Sequence, residues 1–486
     1  MHKYILTIMS LLILMCGLVH ASEIWVDTDG GNDDNVGTRE SPIKSPNIAV
    51  GRLGEGGGIV HINADGFAPC YESLHPGMII YDKNNPLIID GHNNTIFYGF
   101  DGDFDDFDPI NQPVRNYHVV GVMDCHNVIF KNFETWGGVT QAFGLNDSYP
   151  DVGLHHITLD NITVRYGRDR GIFMGGSNIS NIKILNSHIT ETAYGDVTHG
   201  IYLSGGIWSG DYPPIRHITI KNTTVSYSTG RHGIQLNGRF EHVMIENCSL
   251  FHNELAGISL MGCRFVEVKD CLIYGNHKQG IVISDYFDDH YWDPDDEASV
   301  TDWRSSHHSS GWMYIHHNTI VVGPTQWHRD GHHNNIPGGH GCIAINNAAR
   351  AQIIDYEMGP YFIYNNILWT PGPVSLALGS QYKGYHGEAN MLYVHNNIVW
   401  SSGSDDSPLV VVHRHMGRYS YDFLEGILGN FFINNSVHDP EFNKIPVYDF
   451  VDLTKPPYRF NWSEHISSAD LFSIKCRKLG IGRRKR

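Results

Sequence analysis

The chain has 486 residues, of which 41% are hydrophobic, so it can bury a sizeable core and wholesale disorder is excluded. Its 52 acidic residues outnumber 34 basic ones, and the formal charge of −18 argues against a nucleic-acid-binding protein, which needs a basic surface. Histidine is abundant, with 31 copies, and the ordinary histidine pKa of about 6.5 makes the surface charge sensitive to pH.

Residues 1–21 have the pattern of a signal peptide. Lys3 supplies the positive charge, an apolar run covers residues 4–18, and Ala21 is a small residue at the cleavage point. The run is too short to cross a bilayer comfortably, and no later stretch approaches about 18 apolar residues. We therefore expect a secreted protein, extracellular or periplasmic, that starts at Ser22. No membrane span and no nucleic-acid partner are expected.

Two short motifs recur along the chain after the opening segment. One reads apolar-x-Asn-x-x-apolar, as at residues 184–189, 220–225 and 245–250. The other is Gly-apolar-x-apolar, and it begins at Gly171, Gly200, Gly233, Gly257 and Gly280. The closest copies of a motif lie 23 to 25 residues apart. Larger gaps occur where loops intervene. Repeats of this size are the signature of a solenoid.

Each repeated unit is short and rich in β-branched residues with period two, and no helical pattern lies between units. Such strands cannot pair within one unit, so each must pair with its equivalent in the next coil. The sequence therefore predicts an all-β fold, a right-handed parallel β-helix of roughly ten coils with an N-terminal cap. The repeated Asn lies at a bend, where its amide can bond along the stack.

The cysteines do not form a disulfide framework, because seven remain after residue 21 in a long chain and an odd number leaves one unpaired. Cys248 and Cys271 each follow the bend residue of adjacent coils. A strand spacing of about 4.8 Å places them either within disulfide reach or as a stacked pair of buried thiols.

The opening segment, Ile24-Trp25-Val26 followed by an Asp- and Gly-rich run to Pro42, together with the coils, resembles the pectate-lyase-like superfamily of secreted parallel β-helix enzymes that act on polysaccharides. The resemblance covers about residues 23–440. It implies a first strand and a capping helix, here around residues 47–53, which would hide the first coil from solvent. It specifies the fold better than the reaction.

The expected organisation therefore has four parts. Residues 1–21 form the signal peptide and 22–60 the first strand and capping segment. Residues 61–440 form the β-helix, with loop insertions at about 285–311 and 323–340. The repeat fades after about 440, and residues 441–486 are a C-terminal extension that ends in a basic tail.

Stacking of the coils gathers cations at one corner. Arg170, His199 and His232 directly precede repeated glycines, so they lie one above another. The complete group contains Arg168, Arg170, His199, Arg231, His232, His277 and Lys278. So many cations repel one another, and an anionic ligand relieves that repulsion. Outward positions of the next strand add Tyr202, Gln235 and Asn237, while Ile, Leu and Met face inward.

This group suits β-elimination in a uronate polymer, which needs a carboxylate neutraliser, a base for the C5 proton and an acid for the leaving oxygen. Arg231, Arg170 or Lys278 can neutralise the carboxylate. His199 or His232 can act as the base, and Tyr202 as acid or base. Expected substrate-binding residues are Arg168, Arg170, Gln235, Asn237, His277 and Trp292. C5 epimerisation would use the same residues, with the proton returned to the opposite face.

Two other classes of function remain open. Hydrolysis needs two carboxylates about 5 to 9.5 Å apart, and the acidic residues near this corner are Asp169, Asp196, Glu254 and Asp285. A non-catalytic binding or adhesive solenoid would retain polymer and release no product. In each case we expect an acidic polysaccharide partner and a monomeric protein.

The first insertion is acidic and aromatic. Asp285, Asp288 and Asp289 are candidate calcium ligands, because oxygen-rich clusters hold this ion. The superfamily resemblance also implies calcium, which its lyases often use to bridge the substrate carboxylate. The alternative is a solvated acidic loop. Trp292, in the same insertion, can stack on a sugar ring.

Overall fold

The computed structural model describes eighteen segments of the chain. They are residues 23–63, 66–69, 84–98, 118–138, 141–147, 151–192, 198–205, 213–276, 278–284, 310–322, 341–346, 360–370, 376–378, 392–401, 410–412, 418–419, 432–433 and 436–437. The predicted signal peptide, the bulk of the first insertion (285–309), the whole second insertion (323–340) and the C-terminal extension lie outside these segments.

The fold is the predicted right-handed parallel β-helix. Its strands pair in parallel with their equivalents one coil away, and the pairs define three sheets that we call A, B and C. Sheet A contains β5 (His118–Met123), β7 (Gln141–Asn146), β9 (Arg170–Gly176), β12 (His199–Gly205), β19 (Gln279–Ser284), β22 (Ile343–Asn346), β25 (Leu376–Leu378) and β28 (Val410–Val412).

Sheets B and C follow the same rule. Sheet B contains β1 (Glu23–Val26), β2 (Gly58–Ile62), β10 (Ile179–Leu185), β13 (Ile215–Lys221), β20 (Gly311–His316), β23 (Tyr361–Tyr364), β26 (Leu392–His395) and β30 (Phe432–Ile433). Sheet C contains β3 (Gly66–Pro69), β11 (His188–Thr192), β14 (Thr224–Ser228), β16 (Ser249–Phe251), β18 (Leu272–Tyr274), β21 (Thr319–Val321), β24 (Ile367–Thr370), β27 (Ile398–Ser401) and β31 (Ser436–Val437).

Five long strands continue round a corner from one sheet into the next. From sheet B into sheet C run β4 (Leu87–Tyr98), β6 (His126–Trp136) and β8 (Leu154–Arg165). From sheet A into sheet B run β15 (Ile234–Glu246) and β17 (Ala256–Lys269). The short β29 (Arg418–Tyr419) pairs antiparallel with β28.

A single described α-helix, α1 (Pro46–Leu53), caps the first coil, and a 3₁₀ turn follows at Gly54–Gly56. Ser45 is its N-cap, and Pro46 occupies the first turn, where a missing N–H costs nothing. Ala49, Val50 and Leu53 are buried in the main core. The helix lies where the sequence predicted it. Among the described residues, no helix combines the length and the apolar character that a bilayer crossing requires.

Asparagine ladders tie the coils together at the turn from sheet B to sheet C. Asn222 donates from its amide to Asn186 at 2.9 Å, and Asn247 donates to Asn222 at 2.7 Å. These residues have positive φ angles, which Asn tolerates better than most residues. Bonding along the stack at the predicted bend position is therefore observed.

A second ladder lies inside the solenoid. Asn318 and Asn366 are fully buried, and the Asn318 amide donates both to the Asn366 side chain and to the Val268 carbonyl. All five described cysteines are buried free thiols, so Cys248 and Cys271 are stacked thiols and not a disulfide.

The repeated glycine is required by the close approach of successive coils. A Cβ atom on Gly200 would lie 2.8 Å from the Gly233 carbonyl oxygen, and one on Gly233 would lie 2.8 Å from that of Gly257. Real Cβ atoms do not approach backbone oxygens so closely. The glycine therefore sets the spacing between successive coils, and with it the position of the side chain that precedes the glycine.

We predict that Gly200→Ala lowers the free energy of unfolding by about 1–3 kcal/mol, because the new methyl group also meets a Val225 methyl at 2.7 Å. Urea denaturation measures this change. Gly51→Ala in α1 is the matched control, since no atom lies within 4 Å of its added Cβ and alanine favours helix. Equal stability of the two variants would contradict the packing explanation.

Candidate active site

Sheet A carries its polar residues on the outward positions of four adjacent strands, β9, β12, β15 and β17, which we call the sheet A face. His199 pairs in register with Arg170 of the preceding coil. Tyr202 pairs with Phe173 on one side and with Gln235 on the other, and Asn237 lies two positions after Gln235. The structure thus places the stacked corner residues and the outward residues next to each other.

The imidazoles of His199 and His232 form a parallel stack, with ring centroids 5.5 Å apart and 2° between planes. Nδ1 of His199 accepts the backbone N–H of His232 at 3.3 Å, and Nδ1 of His232 accepts that of Ala256 at 3.2 Å. A nitrogen that accepts carries no proton, so each neutral ring holds its proton on Nε2. Both rings are therefore hydrogen-bond donors through Nε2.

Both rings stay neutral over the physiological pH range. Burial lowers the pKa of His199 to about 2, and His232, Arg231 and Arg170 add to the shift. Burial also lowers the pKa of His232 to about 3, with contributions from Arg231 and Lys278. The pH sensitivity expected near 6.5 from the sequence does not apply to these two histidines.

Arg170 lies across the sheet A face. Its guanidinium carbon is 4.7 Å from the centre of the Phe173 ring and 5.0 Å from that of Tyr202, both within cation–π range. Its Nε atom is buried and has no hydrogen-bond partner among the described residues. A buried guanidinium nitrogen without an acceptor is costly, so this group is suited to an anionic ligand.

Two amide oxygens on the same face are also without partners. Gln235 donates to the Met261 sulfur at 3.1 Å, and Asn237 donates to the Tyr202 hydroxyl at 3.1 Å. The other atoms of these amides, Gln235 Oε1 and Asn237 Oδ1, are buried and meet no donor in the described part of the chain. The face therefore offers a cationic donor and two acceptors, which is the pattern that a polar ligand needs.

The remaining cations surround this face. Arg168 is exposed, whereas Arg231 and Lys278 are half-buried. Burial lowers the pKa of Lys278, as does the Arg231 charge, while Glu254 opposes the shift. The other predicted substrate-binding residues, His277 and Trp292, lie outside the described residues.

The polar face also includes residues that sequence analysis did not single out. Phe173 and Met261 lie on it, and their spacing from Arg170 and from Gly257 would have identified them by the same stacking rule. In the later coils one outward row turns apolar, because Val282 and Ala344 follow Ser259 in register, and they form a small buried cluster with Ala256 that is separate from the main core.

The described residues contain one group with metal-ligand spacing, His61, Asp90 and His92. The two imidazole planes are 18° apart, and His61 Nδ1 lies 3.1 Å from His92 Nε2, so the two ring nitrogens are in hydrogen-bond contact with each other. Asp90 already accepts from Lys131 at 3.0 Å and from the Asn132 amide at 2.9 Å. The geometry is that of a ring stack and an ion pair. The predicted calcium ligands Asp285, Asp288 and Asp289 lie outside the described residues.

A buried network of two glutamates and one arginine lies at the ends of three sheet C strands, and sequence analysis did not single it out. Arg165 contacts Glu134 through Nε at 2.9 Å and Glu191 through Nη1 at 3.4 Å. Burial raises the pKa of both carboxyls, that of Glu191 to about 7. The guanidinium occupies the space between the two carboxylates.

Comparison with known proteins agrees with this architecture. A family model described as the right handed beta helix region matches residues 198–288. Among solved structures, the GH136 lacto-N-biosidase from Eubacterium ramulus superposes with a TM-score of 0.54 at 13% identity, covering 86% of this chain and 68% of that one. The predicted right-handed β-helix family of folds is confirmed. At this identity the similarity shows the fold alone.

Two more distant structures are similar in the same way. The catalytic unit of the thermostable GH87 alpha-1,3-glucanase from Streptomyces thermodiastaticus strain HF3-3 has a TM-score of 0.49 at 14% identity, covering 85% of this chain and 68% of that one. The periplasmic alginate epimerase AlgG has a TM-score of 0.44 at 10% identity, covering 79% and 77%. The comparison with curated protein sequences gives no match.

The lowered pKa values of the histidine stack predict a specific pH dependence of stability. Between the unfolded pKa of about 6.5 and the folded values, the unfolded chain binds protons that the folded chain does not. Stability therefore falls as the pH drops below about 6.5, by up to about 1.4 kcal/mol per pH unit for each ring.

Urea unfolding at several pH values between 7 and 5 tests this dependence in His199→Gln, which should lose less stability over that range than the unmodified protein. The control is His217→Asn, which changes an exposed ring at a positive φ angle that Asn tolerates and should keep the original slope. Comparing slopes between variants cancels the contribution of other groups such as Glu191. A slope unchanged in His199→Gln would contradict the assignment.

Proposed function

We propose that the protein is a secreted, polysaccharide-active enzyme, and specifically a lyase that cleaves a uronate-containing polymer by β-elimination on the sheet A face. The observation that carries this proposal is the set of buried, unpartnered polar atoms there, namely Arg170 Nε, Gln235 Oε1 and Asn237 Oδ1. A sugar with one carboxylate and several hydroxyls matches one cationic donor beside two acceptors. The protein's own charge is strongly negative, so this local cationic surface is a specific feature.

Substrate binding in this proposal begins with Arg170. Its guanidinium pairs with the uronate carboxylate, which withdraws electron density and makes the C5 proton easier to remove. Arg231 and Lys278 add positive potential from the neighbouring coils. The Gln235 and Asn237 carbonyl oxygens are buried before the sugar binds. In this proposal their side chains rotate towards the sugar, accept from its hydroxyls and fix the ring relative to Arg170.

Proton transfer is assigned to Tyr202, and the prediction that His199 or His232 is the base is revised here. Their Nδ1 atoms are engaged by backbone N–H groups and their Nε2 atoms hold protons, so neither ring presents a free lone pair. His199 instead donates through Nε2 to developing negative charge. Tyr202 stacks on His199 at 4.8 Å and accepts from Asn237, so its own O–H bond is left to face the sugar.

Tyr202 first releases its O–H proton to solvent. The resulting phenolate takes the C5 proton, and the C5–H electron pair forms a C4=C5 double bond. The C4–O bond breaks with its electrons on the leaving oxygen, which receives the proton back from Tyr202. Return of the proton to C5 from the opposite face would give epimerisation.

Hydrolysis is the second candidate, because Glu191 has the raised pKa of a general acid. Its partner carboxylate would be Glu134, but Arg165 fills the gap in which a sugar would lie. Of the carboxylates expected from the sequence, Asp169 and Glu254 lie in described segments. The Glu254 charge interacts with Lys278 and opposes the lowering of its pKa. Elimination therefore agrees better with the described residues.

The product distinguishes these functions. Incubation with polygalacturonate, alginate and chondroitin sulfate should release oligosaccharides with an unsaturated, ultraviolet-absorbing end. New reducing ends without that absorbance would contradict elimination and favour hydrolysis. An altered C5 configuration without chain cleavage would indicate epimerisation, and binding without any product would indicate a non-catalytic solenoid.

Tyr202→Phe should lower kcat about 10²- to 10⁴-fold, because it removes the proton-transfer group and leaves the ring stack in place. Arg170→Lys should lower kcat/KM about 10²-fold, because an ammonium group does not reproduce the stacked, planar guanidinium. Lys183→Gln, on the exposed surface of sheet B, is the control and should keep full activity. Full activity in Tyr202→Phe would contradict the assigned mechanism.

A further inference from the structure

A row of aromatic rings runs along the outside of the solenoid where strands enter sheet B. It consists of His217, His242, Phe265 and Trp312, one from each of four successive coils, and we call it the corner ridge. Neighbouring ring centroids are 5.2, 5.0 and 6.3 Å apart, with 11 to 20° between planes. The ridge therefore runs parallel to the solenoid axis.

The ridge is exposed, although its largest members are hydrophobic. Phe265 is 40% and Trp312 is 41% exposed, and among the described residues only Val36 and Ile48 are other large hydrophobic side chains with comparable exposure. Both histidines of the ridge are also exposed. A continuous row of exposed rings differs from a scattered surface hydrophobe and is typical of a binding surface.

The backbone of the ridge is in an unfavourable conformation for its two bulky members, Phe265 and Trp312. The equivalent position has a φ angle between 52° and 60° in Trp312, Phe265, His242 and His217. Earlier coils carry Asn127, His156 and Asn181 there, and Asn and His adopt such angles at lower cost. A bulky aromatic residue with positive φ is destabilising, and burial does not compensate it here. Such an outlier supports a functional role for the side chain.

Arginines flank the ridge and give it a positive charge. Arg216 and Arg264 lie on either side of Glu241 in the register of sheet B, with Arg216 Nε 3.0 Å from the Glu241 carboxylate. Arg239 is close enough that the Arg216 charge, after the larger effect of burial, lowers its pKa. Three arginines thus surround Glu241, of which Arg216 forms the ion pair, in a chain whose net charge is −18.

The corner ridge is contiguous with the sheet A face. Arg239 follows Asn237 after one residue, Gly238, whose φ angle of 126° turns the chain from sheet A towards sheet B. The two surfaces therefore meet at one corner, and both present one residue per coil at a spacing of about 4.8 Å. A polymer that occupies one surface can extend directly onto the other.

From these observations we propose that the corner ridge is a second binding site, separate from the catalytic residues, for an acidic polysaccharide. The arginines pair with carboxylates or sulfates of the polymer, and the aromatic edges and the outer face of Trp312 contact its sugar rings. The ligand class rests on the proposed function. The ridge holds long chains while the sheet A face acts on the segment that reaches it.

Affinity electrophoresis in native gels containing polygalacturonate, alginate or chondroitin sulfate tests this proposal without requiring turnover. The unmodified protein should be retarded by at least one polymer. Trp312→Ala should weaken the apparent affinity for that polymer about 3- to 10-fold. The double variant Arg216→Gln/Arg264→Gln should weaken it further and reduce its salt dependence.

Controls match each change in chemistry. Ile48→Ala removes a hydrophobic side chain on α1 that is 39% exposed. Lys183→Gln removes an exposed cation elsewhere on sheet B. Both variants should migrate as the unmodified protein does. Circular dichroism and thermal unfolding confirm that each variant is folded. Unchanged retardation of folded Trp312→Ala and of the arginine double variant would overturn the proposal, as would migration of the unmodified protein unaffected by all three polymers.

The same gels separate this inference from the proposed function. Tyr202→Phe should bind the polymer as tightly as the unmodified protein while losing turnover. Ridge variants should keep their turnover of short uronate oligosaccharides, which do not span both surfaces. If no lyase product forms with any polymer, but retardation depends on the ridge, the binding site stands and the catalytic proposal fails. If binding is lost in Arg170→Ala but retained in the ridge variants, the proposal that the corner ridge binds the polymer is overturned.

Discussion

The vertical register of the coils is the constraint on which every other feature depends. Parallel pairing of β9, β12, β15 and β17 sets each outward side chain directly above its equivalent in the previous coil. The glycines at the start of sheet A strands enforce this register, because no Cβ fits between successive coils at those positions. Residues that are 29 to 33 positions apart, such as Arg170, His199 and His232, thereby become neighbours within one small area.

Electrostatics then decides what this area can do. The cations lie close together and partly out of water. Burial and these neighbouring charges keep both stacked imidazoles neutral, so the histidines add no further positive charge. The backbone fixes the tautomer, because Nδ1 of each ring accepts an N–H from the coil above. The histidines thus contribute oriented, neutral donors, while Arg170 retains the charge and an unsatisfied nitrogen. This arrangement favours binding of an anion, because the arginine stays charged while neither histidine takes up a proton near neutral pH.

The fold was largely predictable, because a solenoid repeats its constraints. The Asn at the bend and the Gly at the start of each sheet A strand recur along the chain, 23 to 25 residues apart where no loop intervenes. Both have a direct structural cause, in the ladders and in the close approach of coils. The position of the corner residues followed from the same periodicity. The same periodicity could have identified Phe173, since it occupies the position equivalent to Tyr202.

Other features could not be read from the pattern. The roles of His199 and His232 depend on which ring nitrogen meets the backbone, and their pKa values depend on burial, neither of which periodicity encodes. The Glu134–Arg165–Glu191 network joins strands of three coils through side-chain contacts that no motif marks. The corner ridge was missed because His217, His242, Phe265 and Trp312 share a position in the coil but not a residue type.

In the proposed mechanism the unpartnered atoms of the sheet A face bind a uronate. The decisive experiment is a crystal structure of the catalytically impaired Tyr202→Phe protein, soaked with oligosaccharides from the polymer that it binds. We expect a carboxylate within hydrogen-bond distance of Arg170 Nε and sugar hydroxyls at Gln235 Oε1 and Asn237 Oδ1. An ordered oligosaccharide bound elsewhere, with these three atoms left in contact only with solvent or protein, would contradict it.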